Sequence, residues 1–252
     1  DCSQDNSVAI LSEYKNKDRR IKKLIVNTIN SGSPFRQWAL GLSYAQGKYV
    51  WIAECDDYAD IMFVEHLVAI LENHEDVSLA FSGSLVVDRN DNLLNKDFDK
   101  WTCQQINGTK GYKVLNGLQY ASRNLFWSNR VYNASGCIFR KSVYDKIDDY
   151  RWRDCLYAGD WLFWFNLCLL GDVIEVYEKL NRFRRQAQSV TLNSVIDNSK
   201  NIKRFYESVF IIEYMTSKIR IPKLKQLKKF KAPYYIVKDS VFPVHTKKKL
   251  LN

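Results

Sequence analysis

In Tyr49-Val50-Trp51-Ile52-Ala53-Glu54-Cys55-Asp56-Asp57, five apolar residues run directly into three acids. The apolar run predicts a strand buried on both faces, as in a parallel sheet covered by helices. Ligands of an open α/β sheet bind in the crevice beyond the carboxyl ends of its strands, which is where these acids fall. Glu54 and Asp56 stand two apart, so in extended chain they point the same way, and Asp57 points elsewhere. Like charges at this spacing repel. A hard divalent cation held by oxygen ligands would offset them, and Mg²⁺ commonly takes one or two carboxylates plus substrate phosphates. The competing reading is a solvated loop leading into the next helix, because Asp favours N-caps and first turns.

Working outward, the same alternation continues on both sides. Upstream, a polar loop over 1–7 leads to a helix through about Tyr14, capped by Ser7, with Val8, Leu11 and Tyr14 or Lys15 on one side. Leu24-Ile25-Val26 reads as a short strand. Ser33-Pro34 reads as N-cap and first residue of a helix that carries Phe35, Trp38, Leu42 and Ala45 on one face and stops at Gly47. Downstream, a helix over 60–73 places Phe63, Leu67 and Ile70 inward, and 77–87 is a strand broken near Gly83. Such alternation predicts a mostly parallel sheet flanked by helices.

The alternation then lapses. Residues 95–132 are polar and aromatic, with a helix expected near 114–124. A short strand follows at 136–139 and a short helix begins near Ser142. Gly159-Asp160 opens a strongly apolar helix to Leu170, stopped by Gly171. A strand at 173–176 leads into Leu180-Asn181-Arg182-Phe183-Arg184-Arg185. A long helix is expected over 193–216, and Pro222 can start a further basic one.

Composition bounds the function. The apolar fraction of 46% and charged fraction of 26% are those of an ordinary globular protein. No apolar run reaches the length of a membrane span. The six cysteines (2, 55, 103, 137, 155, 168) form no C-x-x-C pair, and the three histidines are scattered. This pattern fits reduced cytoplasmic thiols rather than a disulfide framework or a zinc site. The net charge of +10 is concentrated at one end. From Lys218 onward there are eleven Lys and Arg against one acid, Asp239. That tail, 218–249, reads either as a surface for an anionic membrane on the inner face of the bilayer or as a solvated helical extension. The body is neutral and carries no nucleic-acid motif, so nucleic acid is not an expected partner.

Several stretches, in order, resemble the inverting family 2 glycosyltransferases of the GT-A fold over about residues 1–192. Asp1-Cys2-Ser3-Gln4-Asp5-Asn6-Ser7 resembles the family's D-x-S-x-D-x-[ST] loop. Asn30-Ser31-Gly32 through Ala45-Gln46-Gly47-Lys48-Tyr49-Val50 resembles N-x-G…A-x-G-x-Y-[IV]. Glu54-Cys55-Asp56-Asp57 stands where the family has D-x-D. Gly159-Asp160 resembles the motif holding the catalytic base. Asn181-Arg182-Phe183-Arg184, with Ser189-Val190-Thr191, resembles the closing segment, in which Gln186 takes the place of the usual His.

The resemblance implies roles. Asp1 would bond the nucleotide base, and Arg36 would stand in for a donor-side arginine. Glu54 and Asp56 would bind the donor and a Mg²⁺ or Mn²⁺ ion. Asp160 would take the proton from the acceptor hydroxyl, although read alone it is better explained as a helix N-cap or first-turn acid offsetting the helix dipole. Asn133, Ser135 and Trp161 are acceptor-side candidates. Trp101, Trp127, Tyr132 and Trp152 could stack on sugars or fill the core.

The expected organisation is a glycosyltransferase domain over 1–192, with a nucleotide-sugar and metal half (1–88) and an acceptor half (89–192), followed by a helical basic extension over 193–252. The family's first strand, helix and second strand would precede Asp1, so the fold is expected in N-terminally truncated form. Donor and acceptor would be a nucleotide-diphosphate sugar and a saccharide or lipid-linked acceptor. The rival readings are a non-catalytic or degenerate nucleotide-sugar-binding fragment and a nucleotidyltransferase. The latter needs a Gly-rich phosphate loop that this chain does not show.

Overall fold

The computed structural model describes residues 1–96, 98, 111–185 and 198–221. Trp101, Gln186, residues 189–191 and the tail beyond Ile221 lie outside them, so the sequence readings placed there stay expectations.

Helix α2, Pro34–Tyr44, forms as local chemistry dictates. Ser33 is its N-cap and accepts from the Phe35 N–H at 3.2 Å, while Pro34 supplies a preset φ. Its apolar face buries Phe35, Trp38 and Leu42. Helix α3, Phe63–Glu72, likewise buries Phe63, Leu67 and Ile70. Helix α1, Ser7–Lys17, forms, but Asn6 rather than Ser7 holds the N-cap position and Asp5 accepts from the Ser7 N–H at 3.0 Å. Its expected inner face meets no core among the described residues, and Leu11 and Tyr14 are exposed. Leu24-Ile25-Val26 forms no strand. A strand exists by pairing, and none of the described strands pairs with it.

The strands are β1 (Tyr49–Trp51), β2 (Tyr58–Ala59), β3 (Val77–Val87), β4 (Tyr112–Leu115), β5 (Cys137–Arg140) and β6 (Asp172–Arg184). They form one sheet in the order β1-β5-β3-β6-β2, with β4 added on β6. The α/β class holds, but the expected mostly parallel sheet is mixed. Among the described pairs only β3 and β6 are parallel. The alternation of elements does predict direction: β1 and β3 both run antiparallel to β5, so β1, β3 and β6 all point one way. The reversals come from the short strands β2, β4 and β5. Their pairing is set by tertiary partners, not by a helical crossover.

The organising strand also differs from its prediction. β1 lies at the end of the described sheet, half-buried at Tyr49 and Val50 and exposed at Trp51. β3 matches the predicted span, and its ladder with β6 slips on both sides of Gly83, where a break was expected. β4 was not foreseen. The helix expected near 114–124 instead starts as α4, Gly117–Tyr120, capped by Asn116 and continuing as a π-helical turn over Ala121–Leu125. The short helix expected near Ser142 forms as α5, Lys141–Tyr144.

Alternate residues of the sheet feed two cores. Ala80, Ile138, Ile174 and Val176 pack against α3 on one face. Leu79, Phe81, Cys137, Phe139 and Val173 pack on the other, against α2, helix α6 (Gly159–Leu170) and helix α7 (Asn198–Lys218). Trp152, read as a candidate sugar-stacking residue, is fully buried in this second core, 4.7 Å from the Phe163 ring centroid. α7 contributes Ile211, Ile212, Tyr214 and Met215 to the same core, and the Tyr214 hydroxyl donates to Asn166 Oδ1 of α6 at 2.6 Å.

The start of α6 is tightly enclosed. A Cβ on Gly159 would lie 2.3 Å from the Trp152 carbonyl oxygen and 2.5 Å from Phe35 Cδ2. Gly159→Ala is therefore expected to destabilise the protein by about 1–3 kcal/mol, the usual range for overpacking. A urea denaturation midpoint equal to the wild type's would show that the start of this helix is not close-packed.

Candidate active site

The loop after β1 and the loop before α6 meet at a cleft of about 290 Å³. Its lining includes Trp38, Glu54, Asp56, Asp57, Tyr132, Asn133, Tyr157, Asp160 and Phe183. The acids singled out at 54, 56 and 160 thus share one cavity, although more than a hundred residues of chain lie between Asp56 and Asp160.

Each acid is held differently. Glu54 Oε1 accepts from the indole N–H of Trp38 at 2.9 Å, and the Glu54 backbone N–H donates to Ser135 Oγ at 3.0 Å. Burial raises its pKa, the Trp38 bond opposes this, and the charges of Asp56 and Asp57 add to the rise. Asp56 is exposed, and its backbone carbonyl accepts from Arg184 Nε at 2.8 Å. Asp57 Oδ1 accepts from the Arg184 backbone N–H at 2.8 Å, which ties this acid to β6. Burial raises the Asp57 pKa against the lowering effect of that bond.

Glu54 and Asp57 therefore sit where burial and the neighbouring negative charge of Asp56 disfavour their ionised forms. An oxygen-seeking cation would relieve this. Among the described residues no three His, Cys, Asp or Glu side chains converge as a ready-made metal cage. Asp56 with Glu54 still fits Mg²⁺ or Mn²⁺, because such an ion usually keeps waters and takes its remaining oxygens from substrate phosphates.

Asp160 is the second residue of α6. Its Oδ2 accepts from Asn129 Nδ2 at 2.7 Å. Burial pushes its pKa up to about 7, against the lowering effects of the Trp161 N–H and Asn129, and the charge of Glu207 adds to the rise. A carboxyl group poised near neutrality can exchange protons at working pH.

The remaining candidates are placed as follows. Asn133 lines the cleft and donates to Asn181 Oδ1 at 2.5 Å. Ser135 is buried beneath the acidic loop, its carbonyl accepting from Trp51 Nε1 at 2.8 Å and from Asn181 Nδ2 at 3.0 Å. Tyr132 lines the cleft, within a cluster of Phe98 and Phe183. Trp161 donates its indole N–H to the Leu125 carbonyl at 2.7 Å and lies outside the lining. Asp1 also lies outside it. Its carboxylate accepts from Ser31 Oγ at 2.6 Å and Asn27 Nδ2 at 2.9 Å, which closes the 27–31 turn. Arg36 reaches the Ser31 carbonyl at 3.3 Å and Asp154 at 3.4 Å.

Sequence reasoning missed Trp38 as the partner of Glu54, Asn129 as the partner of Asp160, and Asp57 as the anchor to β6. For Trp38 a signal existed: it is the one inward residue of α2 with a donor.

Comparison with known proteins gives the same direction. The model of the family described as glycosyl transferase family 2 matches residues 1–148. An uncharacterized glycosyltransferase of Haemophilus influenzae is 26% identical over 211 residues, covering 81% of this chain and 61% of that protein. The poly(ribitol-phosphate) beta-N-acetylglucosaminyltransferase TarS of Staphylococcus aureus is 32% identical over 81 residues, 31% of this chain and 14% of TarS. The chain thus spans less than two thirds of the length of these curated relatives. The crystal structure of S. aureus TarS 1–349 in complex with UDP-GlcNAc superposes with a TM-score of 0.61 at 16% identity, covering 93% of this chain and 62% of that one. At that identity the likeness establishes the fold.

Proposed function

Because this chain belongs to glycosyl transferase family 2, we propose that it transfers a sugar, with inversion, from a nucleotide-diphosphate donor to a hydroxyl of a saccharide or lipid-linked acceptor. The observation that carries the proposal is the shared cleft of Glu54, Asp56 and Asp160. One end supplies carboxylates suited to a metal-bound diphosphate, and the other supplies a base.

The reaction balances as a single displacement. Asp160 takes the proton of the acceptor hydroxyl, whose oxygen forms the new bond to the anomeric carbon. The bond from that carbon to the diphosphate breaks, and its electron pair leaves on the phosphate oxygen. Attack opposite the leaving group inverts the anomeric centre. Asp56, with Glu54 oriented by Trp38, would hold Mg²⁺ or Mn²⁺. When bound, that ion supplies Lewis-acid stabilisation of the departing diphosphate. Asn129 fixes the rotation of the Asp160 carboxylate. Asp1 and Arg36 belong to the donor half (1–88) in this reading, and Asn133, Ser135 and Trp161 to the acceptor half (89–192).

UDP-GlcNAc is the first donor to try, because TarS is solved in complex with it. No described helix is long and apolar enough to cross a membrane. The basic stretch 218–249 suits docking on an anionic membrane surface, where each Lys or Arg is worth about 1 kcal/mol. That placement would keep the enzyme on the cytoplasmic face beside a lipid-linked acceptor.

The test is nucleotide release from a panel of nucleotide sugars, with and without Mn²⁺. Release from one donor, lost with EDTA and restored by Mn²⁺ or Mg²⁺, is the expected result. Tight nucleotide binding with no turnover of any donor would favour the non-catalytic reading.

A further inference from the structure

We propose that Glu207, on the C-terminal helix α7, is a positioning residue for the wall of the cleft that carries Asp160. The proposal rests on Asp160 being the base. The Glu207 carboxylate accepts three successive backbone N–H groups, from Leu156 at 2.7 Å, Tyr157 at 2.9 Å and Ala158 at 2.6 Å. Bonds to an ionised acceptor are shorter and stronger than neutral ones. Three consecutive amides turned onto one anion define the backbone of a segment that is neither helix nor strand.

That segment is part of the site. Leu156 and Tyr157 line the cleft, and two residues past Ala158 the chain reaches Asp160. Ala158 is the N-cap position of α6 and offers no capping side chain. Glu207 places a carboxylate there instead, where the helix dipole favours a negative charge. Its platform is rigid: Ile211 and Met215 of α7 are fully buried, and Tyr214 is bonded to Asn166 of α6. On the other side, the Gly159 position leaves no room for a Cβ. The approach to Asp160 is therefore clamped between α7 and the Trp152 carbonyl and Phe35 ring that crowd Gly159. A carboxylate that must meet an acceptor hydroxyl needs such a clamp, because a misplacement of about 1 Å can cost about 10²-fold in rate.

The test uses the whole protein as wild type, Glu207→Gln, Glu207→Ala, Asp160→Asn and the Asp160→Asn/Glu207→Ala double variant. The substrate is whichever donor the wild type turns over best, UDP-GlcNAc being tried first, with Mn²⁺. Glu207→Ala is expected to lower kcat by about 10²-fold. The KM for the donor should stay within about twofold, because a transition-state contact and not ground-state binding is lost. Glu207→Gln, which keeps one acceptor oxygen, should recover part of the loss. In the Asp160→Asn background Glu207→Ala should add almost nothing. Hydrogen exchange at the amides of Leu156, Tyr157 and Ala158 should quicken in Glu207→Gln, a readout that needs no turnover.

Wild-type kcat in Glu207→Ala overturns the proposal. So does the full loss persisting on top of Asp160→Asn, or unchanged exchange at 156–158. If Glu207→Ala does not fold, the same readings on Glu207→Gln decide. Wild-type turnover in Asp160→Asn alone marks a different failure, that of the base assignment.

Discussion

Asp56→Asn is expected to lower sugar transfer by about 10²–10⁴-fold, the equivalent of the several kcal/mol a Lewis acid contributes at a departing phosphate. The substitution keeps the shape of the side chain and removes the charge that would grip a cation. Folding should be untouched. Asp56 is exposed, and its bond to Arg184 uses the backbone carbonyl. Removing its charge also takes away one of the fields that raise the pKa of Glu54 and Asp57, so stability should be equal or slightly higher at neutral pH. Two measurements settle the matter: turnover against Mn²⁺ concentration and the urea midpoint. The expected pair is a collapsed rate that excess Mn²⁺ restores only in part, with an unchanged midpoint. A variant that keeps wild-type turnover would falsify the cation-binding role of this loop.

In the proposed site Glu54 would reach the same ion by a different route. Its orientation comes from Trp38 on α2, a helix whose start was legible because capping is local: Ser33 and Pro34 announce it and the three-four spacing of Phe35, Trp38 and Leu42 gives its inner face. α3 was legible from the spacing of Phe63, Leu67 and Ile70 alone, with no side-chain cap, and β3 from its apolar run. β4 was not, because Tyr112-Lys113-Val114-Leu115 becomes a strand only by lying against β6. Strand direction was half legible: the helical crossovers set β1, β3 and β6, while β5 slips in between β1 and β3 in reverse.

The site divides along the same line. Glu54, Asp56 and Asp160 stand out because acids at the end of an apolar run or the start of an apolar helix are conspicuous. Their partners are ordinary polar residues brought in from afar. Ser135 lies 81 residues from Glu54, Asn129 31 from Asp160, and Glu207 51 from Leu156. No periodicity encodes such pairs. They exist only once the sheet has closed and α7 has docked on α6. The apolar face of α7, by contrast, was readable as a long helix, though not as a neighbour of the cleft.

Asp160→Asn should cost about 10²–10⁴-fold in turnover, the usual contribution of a positioned base. It should also erase a pH dependence expected of the wild type. Burial holds the Asp160 carboxyl at about 7 in the folded protein, against about 3.9 for a free aspartate. A base works deprotonated, so the wild-type rate should climb as pH passes upward through about 7 and level off above it. Stability follows the opposite course. The native state keeps a proton that the unfolded chain releases near pH 4. This contribution is full below that value and is lost as pH rises through about 7. The same carboxyl group thus becomes active as it becomes costly to keep buried. Asn in its place accepts the Asn129 bond through its amide oxygen but never ionises. The variant should therefore be flat in rate across this window and should not lose stability through it. If the rise near pH 7 survives in Asp160→Asn, another group is the base, and the half-buried acids of the same cleft, Glu54 and Asp57, become the ones to replace next.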